Sequence, residues 1–459
     1  MSESRKRAQP ALSRRKLLAA AVLGTGALGA AGVAVYESGS ATATPTALGH
    51  GATSGGATTS AASSAAASTT TAAPTHTATA TASRSASTSA TATTRTASPA
   101  LLHSMSDFER MAVNVRSGAQ PWAAGWNKLV ANPHSQSTWK PRPAAVVNRG
   151  GAGAQNYPQL YNDIHAAYQN ALRWKISGDT THADTARDIL NAWSATLTTI
   201  VGDADRFLAA GIYGYQAANA AALMNGYPGF ELARFQKMML NVFYPMNDDF
   251  LTHHNNACIT NYWANWDLCT MASILGIGIL CADQAKINQA VNYFKNGAGN
   301  GAITHAVPFL HPGGLGQWQE SGRDQGHTML GIGLMGAICE MAWNQGIDLY
   351  GYDDSRFLSG CEYVAAYNLG KDVPFTTYGW GNGDSCAWRT QTVISSGSRG
   401  QIRPIWELVY NHYVKRQGLS APNVTAIAAQ VRPEGGGGDY GPNSGGYDQL
   451  GFGTLTATV

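Results

Sequence analysis

The sequence predicts an all-α protein: an α/α toroid, an incomplete barrel of about six or seven helical hairpins with long polar loops at one end. Apolar residues recur at helical spacing in consecutive segments over most of the chain after residue 156. Short breaks of Gly, Pro or Asn separate these segments, which favours antiparallel hairpins. Strand-like alternation is nearly absent before residues 451–458, where the pattern indicates a strand. No fixed repeat period is present, which argues against a superhelical solenoid.

The helical pattern can be assigned segment by segment, with Gly, Pro or Asn punctuation between the helices. The predicted helices are Tyr157–Ser177, His182–Val201, Arg206–Met224, Phe230–Leu251, Tyr262–Cys281, Lys286–Phe294, His327–Asn344, Asp354–Tyr367 and Ile402–Val414. Three other segments are unusually rich in polar and aromatic residues: 253–267, 311–327 and 434–447. Because loops on a rigid scaffold often carry function, we expect the functional residues in these three segments.

The first 99 residues are predicted to lie outside the folded domain. Residues 1–37 carry the pair Arg14 and Arg15 directly before an uncharged, Ala- and Gly-rich apolar stretch, which predicts a Tat-type export signal and a secreted protein. The alternative is an uncleaved membrane tether, because the stretch is near the lower length limit for a transmembrane helix. Residues 38–99 are almost entirely Ala, Ser, Thr and Gly and predict a disordered linker. This leaves residues 100–459 as one α/α-toroid domain.

The charge of the predicted domain differs in sign from that of the whole chain. The chain has a formal net charge of +3, but residues 1–99 hold 8 of the Lys and Arg residues and 2 of the Asp and Glu residues. The remainder has 23 basic and 26 acidic residues, a net charge of −3. This balance argues against nucleic-acid binding. An anionic substrate would therefore have to bind in a local basic cleft.

Neither a metal nor a cofactor is expected. The six cysteines have no CxxC spacing, so a thiolate zinc site is disfavoured, and most lie in apolar helical segments typical of buried thiols. An oxidising destination leaves room for one or two disulfides. The adjacent pairs Asp248-Asp249 and Asp353-Asp354 point in different directions and are typical of solvated helix ends, so they do not indicate a metal site.

Three segments resemble the alginate-lyase family of polysaccharide lyases, and the resemblance covers most of residues 120–415. Residues 208–221 resemble the family's helix with the pattern Gly…Gln…Asn-Ala-Ala. Residues 260–268 are similar to its helix start Asn-Asn-His-x-x-Trp. Glu320-Ser-Gly-Arg323 followed by His327 is similar to its segment Glu-x-x-Arg…His-Tyr. The resemblance implies an α/α toroid that cleaves an acidic polysaccharide by β-elimination.

Elimination explains why such residue types are needed. The C5 proton of a 4-linked uronate is only weakly acidic while the neighbouring carboxylate is ionised. The enzyme must neutralise that carboxylate with hydrogen-bond donors or a cation, place a base at C5 and place an acid at the leaving oxygen. Asn and Arg suit the first task, and His and Tyr suit the other two.

The resemblance implies catalytic roles for Asn261 and Tyr262. Asn261 falls at the carboxylate-neutralising Asn, although it could also cap the helix that follows. Tyr262 falls where the family has its His, and His327 falls near the family's Tyr, so either the pair is exchanged or the register is shifted. A shifted register would put Ile259 and Thr260 at the family's Asn and His, and an isoleucine cannot neutralise a carboxylate. The alternative for Tyr262 is an aromatic wall of the cleft.

Arg323 and His327 are one helical turn apart, so they are expected to face the same side. Arg323 would hold the substrate carboxylate and lower the pKa of His327, which favours the free base. Glu320 is expected to orient Arg323, although an ion pair of Arg323 with Glu320 or Asp324 could equally be structural. Sugar-binding walls are expected from flat aromatic and polar side chains, about half of which should be core residues. These are Tyr213, Gln216, Trp263, Trp266 and Trp318.

The leading hypothesis is thus a polysaccharide lyase, active as a monomer on an alginate- or glucuronan-type polyuronate and meeting a membrane only through its export signal. A glycoside hydrolase on the same scaffold would need two carboxylates across the cleft, for which Glu320, Asp324 and Asp267 are the candidates. A non-catalytic, carbohydrate-binding exported protein is the third reading. Lyase products carry a C4–C5 double bond, hydrolase products do not, and a binding protein yields no product.

Overall fold

A computed structural model describes residues 100–440 and 447–459, and it is predominantly helical. The first helices are α1 (Met105–Arg116), α2 (Trp122–Ala131), α3 (Tyr157–Ser177), α4 (Thr180–Thr196), α5 (Asp205–Leu208), α6 (Gly214–Leu223), α7 (Leu232–Met238) and α8 (Tyr244–His253). The remaining helices are α9 (Ala264–Leu280), α10 (Gln284–Asn296), α11 (Ile303–Ala306), α12 (Gln325–Trp343), α13 (Tyr352–Asn368), α14 (Trp406–Tyr410), α15 (Pro422–Val431) and α16 (Gly453–Thr456). Consecutive long helices pack as neighbours, as α3 does with α4 and α9 with α10. The predicted α/α toroid is confirmed.

The strands form three separate two-stranded sheets in the described part of the chain. They are β1 (Val146–Asn148), β2 (Thr199–Val201), β3 (Phe309–His311), β4 (Leu315–Gln317), β5 (Tyr378–Asn382) and β6 (Ala387–Gln391). The β1–β2 pair is parallel, whereas β3–β4 and β5–β6 are antiparallel. Strands β3 and β4 span residues 309–317, at the start of the polar segment 311–327. The β5–β6 hairpin follows α13.

The predicted bounds of α3 agree with the structure at both ends. Pro158 lies in its first turn, and Gly178 ends it with a left-handed φ of 80°. The predicted helices 206–224 and 230–251 are each interrupted by a wide π-helical turn, at Ala209–Tyr213 and Met239–Phe243. The strand expected over residues 451–458 is wrong. That segment forms the short helix α16, and only Gly451 makes an isolated bridge, to Gly436.

Helix α9 lies at the centre of the molecule, since every one of its residues is buried. It packs closely on the π-helical turn and on α6. A Cβ atom on Gly211 would lie 2.4 Å from Cys269 Sγ, and one on Gly214 would lie 2.1 Å from Ser273 Oγ. Glycine at both positions therefore lets the two backbones approach, and the approach holds the start of α9 against its neighbours.

The cysteines follow both expectations made for them. Cys258 and Cys386 form a disulfide that joins the segment before α9 to the turn of the β5–β6 hairpin. Cys269, Cys339 and Cys361 are buried thiols. Within residues 100–440 and 447–459, no group of three or more His, Cys, Asp or Glu side chains is arranged to hold a metal ion.

In the same part of the chain, no helix is both long and apolar enough to span a membrane. The predicted export signal and linker, residues 1–37 and 38–99, lie outside the described residues.

Candidate active site

Two of the polar segments predicted to carry function meet at the start of α9. The N-cap residue Trp263 has no side chain that can accept a hydrogen bond, so the first backbone N–H groups of α9 need other partners. The backbone N–H of Ala264 donates to Gln319 Oε1 at 3.0 Å, and that of Asn265 donates to Glu320 Oε1 at 2.9 Å. The segment before α12 thus caps α9 and is fixed to it.

Glu320, Arg323, Asp324 and His327 form a compact ionic cluster at the start of α12. Arg323 Nη1 donates to Glu320 Oε2 at 3.0 Å, and Arg323 Nη2 lies 3.1 Å from His327 Nε2. His327 Nδ1 lies 2.7 Å from Asp324 Oδ2, while Asp324 Oδ1 accepts from the His327 backbone N–H and caps α12. The side chains of Arg323 and His327 are 24% and 20% exposed, so an incoming substrate can reach both.

The charges in this cluster determine which of its groups are protonated. Burial disfavours ionisation of Asp324, but hydrogen bonds and charge from His327, together with the Arg323 charge, lower its pKa to about 2. Asp324 is therefore a carboxylate at neutral pH and accepts the Nδ1 proton of His327. This tautomer leaves His327 Nε2 as the acceptor that Arg323 contacts. Burial raises the pKa of Glu320 despite the Arg323 charge beside it.

A second group, the aromatic cluster, consists of Tyr157, Tyr161, Tyr213 and Tyr447 and surrounds Arg149. Arg149 Nη1 donates to the Tyr213 hydroxyl at 2.9 Å, and its Cζ atom lies 5.1 Å from the centroid of the Tyr157 ring. Tyr161 stacks on Tyr447 with ring centroids 4.7 Å apart. Burial raises the pKa of Tyr161 to about 12, so its half-buried hydroxyl is protonated at neutral pH and can donate.

Two carboxyl groups, the buried Asp448 and the half-buried Asp205, connect the clusters electrostatically. Asp448, whose pKa burial raises, interacts with the charges of Arg403, Arg149 and His327. Asp205, whose pKa burial also raises, interacts with Arg149 and Arg323. Because such interactions weaken with distance, each carboxyl group lies in the neighbourhood of both the ionic cluster and Arg149. The two clusters therefore lie near each other. The region between them, called the groove below, carries the cations Arg149 and Arg323 alongside the carboxyl groups of Asp205 and Asp448.

Trp263 forms an aromatic wall beside the ionic cluster. Its ring centroid lies 5.2 Å from Arg323 Cζ and 5.0 Å from the ring of Trp380 on strand β5. Both indoles are half-buried, so part of each face is open to a ligand. Trp263 is the one expected sugar-binding tryptophan whose placement fits that role.

The other expected wall residues are buried, and the structure corrects their assignment. Trp318 is completely buried and fills the space that Gly331 and Gly360 leave open. Tyr213 and Trp266 are 1% and 9% exposed, so their faces are closed to a sugar ring. Gln216 is fully buried and donates to the backbone oxygen of Tyr447 at 2.7 Å. This hydrogen bond indicates that Gln216 holds the backbone of Tyr447 in place.

Asn261 does not cap α9, because Trp263 occupies that position. Its Oδ1 atom instead accepts from the Gly383 backbone N–H at 2.6 Å, which fixes the turn of the β5–β6 hairpin. The half-buried Tyr262 packs its ring on Phe250 and Trp266. Its hydroxyl accepts from Asn255 Nδ2 at 2.8 Å, which leaves the hydroxyl proton available for donation elsewhere.

Several residues of the groove were missed in the sequence. Tyr447 ends the polar segment 434–447, which was singled out, but no single residue in it was. Arg149, Tyr161 and Asp448 have no local motif. They come together because α3 packs on α6 and both helices hydrogen-bond to the segment that contains Tyr447 and Asp448.

The carboxylates that a hydrolase would use are already occupied. Asp267 is buried, lies 3.0 Å from His254 Nε2 and accepts from the Gly301 backbone N–H. Glu320 is buried and caps α9, and Asp324 caps α12 while it orients His327. This arrangement does not present two carboxyl groups across an open cleft and disfavours the hydrolase reading.

Comparisons with known proteins identify a family and a set of similar folds. Residues 117–374 match the family model described as alginate lyase. The crystal structure of alginate lyase A1-III from Sphingomonas species A1 is 15% identical, with a TM-score of 0.50 over 80% of this chain and 98% of that chain. A histidine-to-alanine variant of alginate lyase A1-III without ligand gives 16% identity and a TM-score of 0.51, over 79% of this chain and 96% of that one.

A tyrosine-to-phenylalanine variant of alginate lyase A1-III complexed with a tetrasaccharide gives 14% identity and a TM-score of 0.51, with 79% and 96% of the two chains covered. No curated protein sequence matches the chain significantly. At these identities the solved structures show a shared fold. The family match, in contrast, spans more than half of the chain. The protein therefore belongs to the alginate lyase family and is a polysaccharide lyase.

Proposed function

We propose that the groove cleaves a 4-linked polyuronate with Arg323 on the substrate carboxylate, His327 as the base at C5 and Tyr262 as the acid at the leaving oxygen. The ionic cluster of Glu320, Arg323, Asp324 and His327 is the observation that carries this proposal. It combines a cation for the carboxylate with an imidazole oriented by a carboxylate, and both are accessible from the groove.

Arg323 is suited to the carboxylate because its guanidinium is a planar, permanently charged donor. Glu320 holds one side of it through Nη1, and Trp263 lies over its face. A bound uronate carboxylate would compete with His327 Nε2 for the Nη2 donor. Substrate binding would then both neutralise the carboxylate, which makes the C5 proton more acidic, and release Nε2 at the same time.

His327 can then take the C5 proton on Nε2. Asp324 stabilises the imidazolium that forms, because it stays ionised and accepts the Nδ1 proton. As the C5–H bond breaks, the C4–C5 double bond forms and the C4–O4 bond breaks. The leaving O4 oxygen takes up a proton, for which the Tyr262 hydroxyl is the proposed donor. Tyr161, whose hydroxyl is protonated at neutral pH, is the second candidate acid.

The identity of the polyuronate is tested by products. Polymannuronate, polyguluronate and glucuronan would each be incubated with the protein and assayed for unsaturated ends, which absorb in the far ultraviolet. We expect rising absorbance with at least one of them and none with a neutral glucan. New reducing ends without a double bond would show hydrolysis, and binding without products would show a carbohydrate-binding protein.

We propose further that the protein is secreted through the Tat route and acts as a monomer. The Arg14-Arg15 pair and the apolar stretch after it support export. Replacing both arginines by lysine should retain the protein in the cytoplasm while an unrelated secreted protein is still exported. Unchanged secretion would contradict the Tat assignment. Light scattering of the secreted protein checks the monomer.

A further inference from the structure

The hairpin β5–β6 lies beyond residues 117–374, the range that matches the family model. It nevertheless lies next to the ionic cluster, because its Trp380 contacts Trp263, which lies beside Arg323. Its base is anchored by the Tyr378 hydroxyl, which accepts from Gln319 Nε2 at 3.0 Å and donates to Asn300 Oδ1 at 3.0 Å. Gln319 also caps α9. The hairpin is thus built onto the same support as the ionic cluster.

The turn of the hairpin is also fixed. The Cys258–Cys386 disulfide joins it to the segment before α9, and the Cys258 backbone N–H donates to the Gly383 oxygen at 2.8 Å. Thr260 Oγ1 exchanges hydrogen bonds with the Gly381 backbone, at 3.0 Å to its oxygen and 2.9 Å from its N–H. Such a support holds exposed side chains in place, which lowers the entropic cost of binding a ligand.

One face of the hairpin continues the wall beside Arg323. Trp380 contacts Trp263, and Arg389 is paired with Trp380 across the two strands. From the ionic cluster outward, the order of the side chains is therefore Arg323, Trp263, Trp380 and Arg389. Arg389 is exposed, and the structure gives it no ion pair within the described residues. This alternation of cations and flat rings is complementary to a chain of sugar rings that each carry a carboxylate.

We propose that the β5–β6 hairpin is a second polyuronate subsite, in which Arg389 binds the carboxylate of a unit outside the reacting one and Trp380 stacks on its ring. This proposal rests on the proposed function, because it extends the same groove. It predicts that Arg389 makes the enzyme bind long polyuronate chains more tightly than short ones. It also predicts that the hairpin does not strengthen the binding of neutral polysaccharides.

The test compares Arg389→Ala with the unchanged protein on a long polyuronate and on a trimer. KM for the polymer should rise about 3- to 10-fold more than KM for the trimer, with kcat for the polymer retained, because one partly exposed charge-assisted contact is lost. The difference should shrink at high salt, which screens exposed charges. Equal effects on both substrates, or no effect on either, would overturn the proposal.

Two matched controls locate the binding face. Trp388 is 71% exposed on the same strand, but side chains alternate along a strand, so it projects from the opposite face. Trp388→Ala and Arg116→Ala, the latter an exposed arginine on α1, should leave the KM for the polymer unchanged. A larger effect of Trp388→Ala than of Arg389→Ala would place the binding on the other face and overturn the assignment.

Binding measured without turnover separates this proposal from the catalytic one. Calorimetry with polyuronate in a His327→Ala background should show the same 3- to 10-fold weakening on Arg389→Ala. If the protein forms no unsaturated product but binds polyuronate through Arg389, the subsite stands and the catalytic proposal fails. If products form but Arg389→Ala leaves the dissociation constant unchanged, the subsite proposal is wrong and the catalytic proposal stands.

Discussion

At the scale of single side chains, the proposed base is the Nε2 atom of His327, which lies within hydrogen-bond distance of Arg323. His327→Ala should lower kcat by about 10²–10⁴, the usual contribution of a general acid or base. Folding should be preserved, because Asp324 caps α12 through the His327 backbone N–H, which alanine retains. The measurements are kcat on polyuronate and the thermal midpoint.

His253 provides the matched control. Its Nδ1 lies 2.8 Å from Asp249 Oδ1, a similar pair to His327 and Asp324, but its side chain is 59% exposed. His253→Ala should leave kcat unchanged. A His327→Ala protein that turns over at the normal rate would remove His327 as the base, whereas an unfolded one would indicate a structural role.

The role of Tyr262 is decided by removing only its hydroxyl. Tyr262→Phe keeps the ring contacts with Phe250 and Trp266, so the thermal midpoint should change little. If Tyr262 is the acid, kcat should fall by about 10² or more. A silent Tyr262→Phe would assign the ring to the wall of the groove and transfer the acid role to Tyr161, for which Tyr161→Phe is the next measurement.

At the scale of elements, the glycines between the π-helical turn, α6 and α9 position the groove. A Cβ on Gly211 would lie 2.4 Å from Cys269 Sγ, so Gly211→Ala should destabilise the fold by about 1–3 kcal/mol through overpacking. Gly336 on α12 has room, since the nearest atom to an added Cβ, Leu408 Cδ2, would be 3.5 Å away. Gly336→Ala should therefore be neutral or stabilise by up to about 1 kcal/mol. Equal effects in denaturant unfolding would contradict this account of the helix contact.

At the scale of the whole molecule, the folded unit is predicted to begin at about residue 100. Leu101, Phe108 and Met111 are buried, so α1 belongs to the core. A truncated protein that begins at Ala100 should keep its thermal midpoint and kcat. One that begins at Gly118 should fail to fold, because it loses the apolar contacts of α1. A large loss of stability in the first protein would mean that residues before Ala100 pack on the domain.

Stability should also depend on pH through buried histidines. Burial lowers the pKa of His103 to about 4 and that of His165 and His412 to about 3, against about 6.5 when unfolded. The neutral folded forms contribute stability that is complete above about pH 6.5 and is lost as the pH falls towards these values. Glu434 acts oppositely, because burial raises its pKa to about 8 and its contribution is lost as the pH rises from about 4.5.

The contribution of one histidine can be isolated with His412→Phe. The phenyl ring keeps the stacking on Tyr350, where the ring centroids are 3.6 Å apart. The thermal midpoint of this variant should fall less steeply between pH 6.5 and 4 than that of the unchanged protein. Parallel curves would show that protonation of His412 does not contribute to acid unfolding.

The sequence by itself predicted the long helices between residues 157 and 414, although not α1, α2 and α15, and it placed residues 199–201 in a helix where strand β2 forms. It also singled out the polar segments 253–267 and 311–327, which meet at the start of α9. Apolar spacing, Pro158 and Gly178 act within a few residues of each other, so the bounds of α3 are readable locally. Arg323 and His327 are one turn apart, and their proximity follows from helical geometry alone. The same local reasoning failed for residues 451–458, where alternation in a short segment does not distinguish a strand from a turn of helix.

Only the tertiary structure decided which aromatic rings are open and which distant charges meet. Trp263 and Trp318 both lie in polar, aromatic segments, but Gly331 and Gly360, which come from other helices, make room for the ring of Trp318 and bury it. Arg149 lies near Asp448 although almost three hundred residues separate them in sequence. Periodicity reports on neighbours within a few turns, whereas burial and electrostatics depend on contacts between helices, so these features could not be predicted before the fold was known.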